Sequence, residues 1–334
     1  MTKAGSVEQV KALYSAWPYP SRVAGDALIY DLANLFHVLL PKEMLRGIKV
    51  LDAGCGSGHR LVGLAKRFPN AEFWGVDMTE ESLEVARDLA VRHGVTNVRF
   101  VCQSLPHLDL AETFDIVTAT GVIHHLEDPA AGLANLCRLL APDGIISLWL
   151  YHAVGEFNRL TQRELLRTLW TSDMDPAIGF TLMRELGFSL DKHQYSSSSS
   201  ATQGGADDIE AIDVDAYMHP IVHAYRFCEA IELFADCNVD WVAVNGVNLP
   251  GESKLVDLAE QAGNLRPLCL PIPTLLNKES LLRYRNLDKA GKLRVIELLA
   301  RPTGFTLLAG KGNALSKLGP RVQGNHVPMR GAIT

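Results

Sequence analysis

Residues Gly47 to Gly58 read GIKVLDAGCGSG, and an acidic residue, Asp77, follows one helix and one strand later. Ile48, Val50 and Leu51 form a short apolar run broken only by Lys49, the pattern of a strand covered on both faces of a parallel sheet. The run ends at Asp52 in a turn whose glycines, Gly54, Gly56 and Gly58, alternate. Glycine at every second position opens backbone angles closed to other residues, and it lets a ligand lie against the main chain without meeting a Cβ. A turn of this kind between a strand and a helix is a nucleotide-type site.

Spacing narrows the ligand. The dinucleotide fingerprint G-x-G-x-x-G needs its third glycine where His59 stands, and the phosphate loop needs a Lys-Ser or Lys-Thr pair that does not follow. Val50 to Gly58 instead resembles the first motif of the class I S-adenosylmethionine (SAM) methyltransferases. FDIVTATGVIHHLEDP, from Phe114 to Pro129, resembles the fourth motif of the same family. The resemblance covers about Tyr14 to His152. It implies an α/β fold with a doubly wound, mostly parallel seven-stranded sheet, helices on both faces and an antiparallel last strand. It also implies SAM as cofactor, S-adenosylhomocysteine as product, and helical insertions on the substrate side.

The residues outward from the loop read consistently with that fold. Pro69-Asn70 ends the helix that begins at His59, Ala71 to Val76 is a second strand, and Asp77 sits at its C-terminal end. A carboxylate there can accept from both ribose hydroxyls, a geometry shared with dinucleotide-binding folds; a plain surface aspartate is the other reading. Thr79, Glu80 and Glu81 open a helix that closes at Arg92, His93 and Gly94. Val98 to Cys102 and Phe114 to Thr120 are the third and fourth strands, Pro129 starts a helix capped by Asp128, and Gly144 to Leu150 is the fifth. Strand–helix alternation with short links gives right-handed crossovers and a parallel sheet, whose ligands lie outside the carboxyl ends of the strands. Family positions for the cofactor fall on Tyr14, Tyr19, Asp52, Gly54, Cys55, Gly56, Gly58, Asp77, Met78, Gln103, Ser104, Leu105 and Thr120. Arg22 joins Tyr14 and Tyr19 in a stiff segment around Trp17-Pro18-Tyr19-Pro20 that the resemblance lays over the cofactor mouth, although these aromatics could equally pack a helix onto the core. Ser104 is a departure: the family places an aspartate there against the adenine amino group, so the hydroxyl or the Gln103 amide must serve.

Composition sets limits on the acceptor. The chain has 334 residues, 47% apolar and 21% charged, with a net charge of −6 and no basic run, which disfavours a nucleic-acid partner. A small-molecule O or N nucleophile is therefore expected as methyl acceptor; RNA, protein, and a SAM-binding role without methyl transfer are the alternatives. Six scattered cysteines lack metal spacing, and no apolar run approaches a membrane span, so a reduced cytoplasmic protein is expected, with oligomeric state undetermined. His124 is the local base candidate, because neutral imidazole can accept a proton; structural histidines at this position are the competing reading. His219 and His223, spaced i, i+4 around Pro220, are candidates for substrate contact, and helical spacing would also let them share a metal, although no metal site is expected. On this mapping residues 1–45 are an N-terminal helical lid segment, 46–151 the cofactor core, 152–223 a substrate-side insertion, 224–310 the end of the sheet with a second helical insertion, and 311–334 a tail. The serine and glycine tract from Tyr195 to Asp208 reads as a linker or a lid.

Overall fold

The computed structural model describes residues 7–16, 26–40, 45–171, 175–190 and 206–329. The strands are β1 (Lys49–Ala53), β2 (Glu72–Asp77), β3 (Val98–Cys102), β4 (Phe114–Thr120), β5 (Leu140–Tyr151), β6 (Trp241–Leu249), β7 (Glu252–Leu255), β8 (Gly304–Gly310) and β9 (His326–Pro328). Before β6 the helices are α1 (Val7–Ala16), α2 (Asp31–Leu39), α3 (His59–Arg67), α4 (Glu80–Arg92), α5 (Pro129–Arg138), α6 (Phe157–Leu169), α7 (Pro176–Glu185), α8 (Ala206–Met218) and α9 (Phe227–Glu232). After it come α10 (Ile272–Leu275), α11 (Lys278–Arg285), α12 (Lys289–Ala300) and α13 (Pro320–Asn325).

All nine strands form one sheet in the order β3-β2-β1-β4-β5-β8-β6-β7, with β9 also pairing β6. The strands β1 to β5 run parallel, and β8 runs antiparallel to both β5 and β6. The fold is the doubly wound, Rossmann-like arrangement expected, with two strands more than the expected seven. The additional strands, β7 and β9, both pair β6 and cover an edge that would otherwise expose unpaired backbone. The hairpin from β6 to β7 turns at Pro250-Gly251, where Gly251 takes φ +79°.

Successive residues in the central strands go to opposite faces. Val50, Ile116 and Ile145 enter one apolar cluster with Leu61, Leu64 and Phe73, whereas Leu51, Val117 and Ile146 enter another with Phe114, Phe227 and Phe305. Burial on both faces explains why the strands read as unbroken apolar runs. A third cluster, with Leu13, Leu166, Trp170, Met183, Val214 and Tyr217, joins α1 to α6, α7 and α8. Apart from α1, which lies in the expected lid segment, this helical layer belongs to the segment expected as a substrate-side insertion, and it reaches the sheet through the turn after β5.

Two sequence expectations change. Residues 311–329, expected as part of a tail, carry α13 and β9, with Ala314, Leu318 and Val322 buried in the second cluster. Inside the fold, Arg321 donates to the Asn245 and Val256 carbonyls at 2.9 and 2.8 Å, and Asn325 donates to those of Val244 and Val256 at 3.0 and 2.7 Å. Scattered glycines had masked this apolar spacing. The second change is at 219–223: α8 ends at Met218, so His219 and His223 lie on extended chain and do not share a helix face. Residues Tyr19 and Arg22, and most of the serine and glycine tract, lie outside the described residues. No helix among the described residues is long and apolar enough to cross a membrane.

Candidate active site

The loop after β1 is shaped by its glycines. Gly54, Gly56 and Gly58 adopt φ of +77°, +53° and +77°, the left-handed region that other residues enter only with strain. A Cβ on Gly54 would lie 2.4 Å from the Val122 Cγ2, and one on Gly58 would lie 2.6 Å from the Ala86 Cβ. The loop is thus pressed between the turn after β4 on one side and α4 on the other. Cys55 is buried over the sheet, and burial raises its thiol well above the usual range, so it serves packing and not nucleophilic chemistry.

Asp77 closes the cradle from β2. Its Oδ2 accepts from the Gly56 N–H at 2.9 Å, and its Oδ1 accepts from the Thr79 N–H at 3.0 Å and the Thr79 hydroxyl at 2.7 Å. Thr79 therefore spends its hydroxyl on Asp77 and makes no side-chain cap on α4. An ionised carboxylate has about four lone-pair positions, so about one remains, and a ribose diol would share or replace one of these donors. Met78, Gln103 and Ser104 are half-buried beside the ends of β2 and β3, and Leu105 is buried. Gln103 accepts from the Asp109 N–H at 3.1 Å, while Ser104 precedes a short turn of helix at Leu105–His107. The glycine loop, one acidic side chain and half-buried polar groups on the next strand fit an adenosyl group. Arg60, in the first turn of the helix after the loop, pairs with Asp31 at 3.0 Å.

Asp52 lies at the end of β1, buried, with its Oδ1 accepting from the Thr118 hydroxyl at 2.8 Å. Burial, partly countered by Arg60 and by that hydroxyl, raises its pKa to about 6. A cationic ligand in the cradle would favour its ionised form. Thr120, half-buried at the end of β4, leads into the turn Gly121-Val122 and then to the histidines.

His124 is fully buried among rings: Tyr151 at 4.2 Å, His125 at 4.3 Å and Trp149 at 5.8 Å between centroids. Neither of its ring nitrogens has a hydrogen-bond partner among the described residues. Leaving such a group unpaired costs about 1–3 kcal/mol, which a bound ligand would recover. Burial, together with the neighbouring His125 and His219, holds the imidazole well below its usual pKa, so the ring is neutral. His223 sits apart: its Nε2 lies 3.1 Å from the Leu126 carbonyl, and its backbone N–H donates to the His124 carbonyl at 2.9 Å.

The structure brings His219 beside His125, with ring centroids 3.9 Å apart, and places Tyr14 against both His219 and Asp215. The Tyr14 hydroxyl donates to Asp215 at 2.7 Å. Sequence reading missed the arginines of α6. Arg159 lies 4.3 Å over the Tyr151 ring and pairs with Glu156, and Arg163 and Arg167 donate to the carbonyls of His219 and Pro220. Their i, i+4, i+8 spacing on one helix face was a visible signal of a shared task.

Fold and loop together define a class I, SAM-type methyltransferase core. Residues 45–178 match the family model described as Methyltransferase domain, and the chain carries a methyltransferase domain of this SAM-dependent class. An uncharacterized protein from Synechococcus sp. is 28% identical over 87% of this chain and 68% of its own length. The ubiquinone biosynthesis O-methyltransferase of Neisseria meningitidis is 40% identical over 30% of this chain and 43% of its own. The malonyl-[acyl-carrier protein] O-methyltransferase of Bacillus anthracis is 33% identical over 30% of this chain and 36% of its own. The match thus spans less than half the length of these two O-methyltransferases. PKMT2 from Rickettsia typhi, solved in complex with AdoHcy, shares the fold with a TM-score of 0.59 at 18% identity, over 91% of this chain and 56% of that one.

Proposed function

We propose that this chain transfers a methyl group from SAM to an oxygen or nitrogen nucleophile of a small molecule. The reading rests on one observation above others: the positive-φ glycine loop closed by Asp77 lies across the Val122 turn from His124, a buried imidazole with no hydrogen-bond partner among the described residues. The O-methyltransferase names of the relatives and the acidic net charge of −6 support a small acceptor.

SAM, when bound, supplies an electrophilic methyl on a sulfonium. The chain's own work is to hold and orient. Gly54, Gly56 and Gly58 offer a main chain free of side chains, Asp77 anchors the ribose, and Ser104 or Gln103 meets the base. Asp52 supplies a buried negative charge beneath the loop. Holding two reactants in a near-attack arrangement contributes up to roughly 7–11 kcal/mol, so most of the catalysis resides in this placement. His124 accepts or shares the acceptor's proton, a task worth about 10²–10⁴ in rate. Burial holds its pKa low, which keeps the ring unprotonated but makes it a weak base, so its part is to hydrogen-bond the acceptor's proton as the methyl is transferred.

The test is formation of S-adenosylhomocysteine with a panel of phenols, carboxylic acids and amines. Turnover with at least one of these is expected, with a 10²-fold or larger loss of kcat in His124→Gln at unchanged cofactor affinity. Tight SAM binding without turnover on any small molecule, together with turnover on RNA or a protein, would overturn the choice of acceptor.

A further inference from the structure

Outside the cofactor cradle, His125, Asp215 and His219 form a group among the described residues whose ligating atoms all lie within 4.8 Å of one another. They come from three places in the chain: the turn after β4, the last turn of α8, and the residue following that helix. We propose that these three side chains bind one divalent first-row transition-metal ion, of the zinc or iron(II) kind, beside His124 on the acceptor side of the cradle.

The donors are two imidazole nitrogens and one carboxylate oxygen. Imidazole favours zinc, iron, copper and nickel over calcium and magnesium, which prefer all-oxygen sites. The outer contacts are those that metal ligands require. The Nδ1 atoms of His125 and His219 lie 2.7 and 2.5 Å from the same Ile221 carbonyl oxygen, which has two lone pairs and can accept from both. That pairing puts the protons on Nδ1 and leaves a bare lone pair on each Nε2. Both Nε2 atoms are buried and without a partner among the described residues. The Ile221 N–H also lies 3.1 Å from the His219 Nδ1. The opposite tautomer would satisfy that N–H but would leave a buried Nε2–H with no acceptor, at a cost of about 1–3 kcal/mol. Asp215 is fixed in turn by the Tyr14 hydroxyl at 2.7 Å. Ligating histidines held by a carbonyl, and a ligating carboxylate held by a hydroxyl, are the usual supports of a metal site.

Tetrahedral coordination at about 2.0–2.1 Å sets ligand atoms about 3.3 Å apart, so the three close inward by as much as about 1.5 Å on binding. Rotations of the Asp215 carboxylate and of the two rings about their bonds to Tyr14 and Ile221 would bring the three together. The guanidinium groups of Arg163 and Arg167 are directed at backbone carbonyls behind His219. Their positive charge opposes any cation nearby, so the ion is held only through its bonds to the three ligand atoms. Such an ion would suit an oxygen nucleophile, whose pKa it lowers.

The proposal deepens the methyl-transfer reading but is tested without cofactor, so the two can fail separately. The metal-free full chain is titrated with Zn²⁺ and with Co²⁺, and the visible spectrum of Co²⁺ reports the ligand type. The expected result is one ion per chain with a nitrogen and oxygen signature. Affinity should fall tenfold or more in Asp215→Asn and His219→Gln, fall less in Tyr14→Phe, and stay unchanged in Cys102→Ser/Cys228→Ser, where the exposed thiols are removed. Far-UV circular dichroism checks each fold, and Asp215→Asn with Tyr14→Phe suffices if His219→Gln misfolds. Failure to bind either ion, undiminished binding in Asp215→Asn, or loss of binding in the cysteine variant would overturn it.

Discussion

Replacing Gly54 with alanine should disable cofactor binding by two separable routes. The residue sits at φ +77°, and an L-residue in that region costs about 1–2 kcal/mol. The new Cβ would lie 2.4 and 2.8 Å from the two Val122 methyls, an overlap of the kind that costs about 1–3 kcal/mol in packed interiors. If the whole penalty of about 2–5 kcal/mol falls on the binding conformation, affinity for S-adenosylhomocysteine drops by roughly 30-fold to a few thousand-fold. Strain relieved by moving the loop would spare the melting temperature while still removing affinity, so both are measured, by calorimetric titration and thermal melt. The double variant Gly54→Ala/Val122→Ala removes the offending methyls but not the backbone strain. Relative to Val122→Ala alone, adding Gly54→Ala should then cost only about 1–2 kcal/mol in affinity. Wild-type affinity in Gly54→Ala, or no relief in the double variant, would show that the loop does not carry the ligand in this conformation.

Three further outcomes follow from buried polar groups. Burial raises the Asp52 pKa to about 6 in the folded chain against an ordinary 3.8, so between about pH 4 and pH 6 the folded form binds more protons than the unfolded one. Its contribution is therefore most favourable below about pH 4 and is lost as pH rises through 6; Asp52→Asn should remove up to about 3 kcal/mol of that fall in urea titrations of the cofactor-free chain. Arg159→Met leaves Glu156 buried and unpaired and should destabilise by about 3–5 kcal/mol, much of it recovered in Glu156→Gln/Arg159→Met, as read from denaturation midpoints. Asn325→Ala removes an acceptor for the Leu258 N–H at 2.8 Å and two donated bonds under β6; a loss of about 3 kcal/mol is expected, and a change below about 0.5 kcal/mol would deny 311–329 a structural role.

Local signals in the sequence carried the reading of the parallel half of the sheet. Alternating glycines, apolar runs and the N-cap at Asp128, which accepts from the Ala131 N–H at 2.9 Å, are short-range features, and each has one physical meaning. The sheet edge was harder to read because its strands are set by distant pairing. His326–Pro328 has no strand pattern of its own and becomes β9 only by lying against Trp241–Ala243. The acceptor side was least legible. His125 lies 90 residues before Asp215 and 94 before His219, so no local pattern joins them, and the i, i+4 spacing paired His219 with His223 although Pro220 already marks the stop of α8 after Met218. The stripe of Arg159, Arg163 and Arg167 was visible as a pattern, but its target, the carbonyls at 216–220, was not.

Titrating the purified chain with S-adenosylhomocysteine, with and without Asp77→Ala, tests the cradle most directly. Saturable one-to-one binding that weakens at least tenfold when the carboxylate is removed is expected. A chain that takes up none of the compound, or one that binds it equally well without the Asp77 carboxylate, would contradict the assignment of the loop after β1.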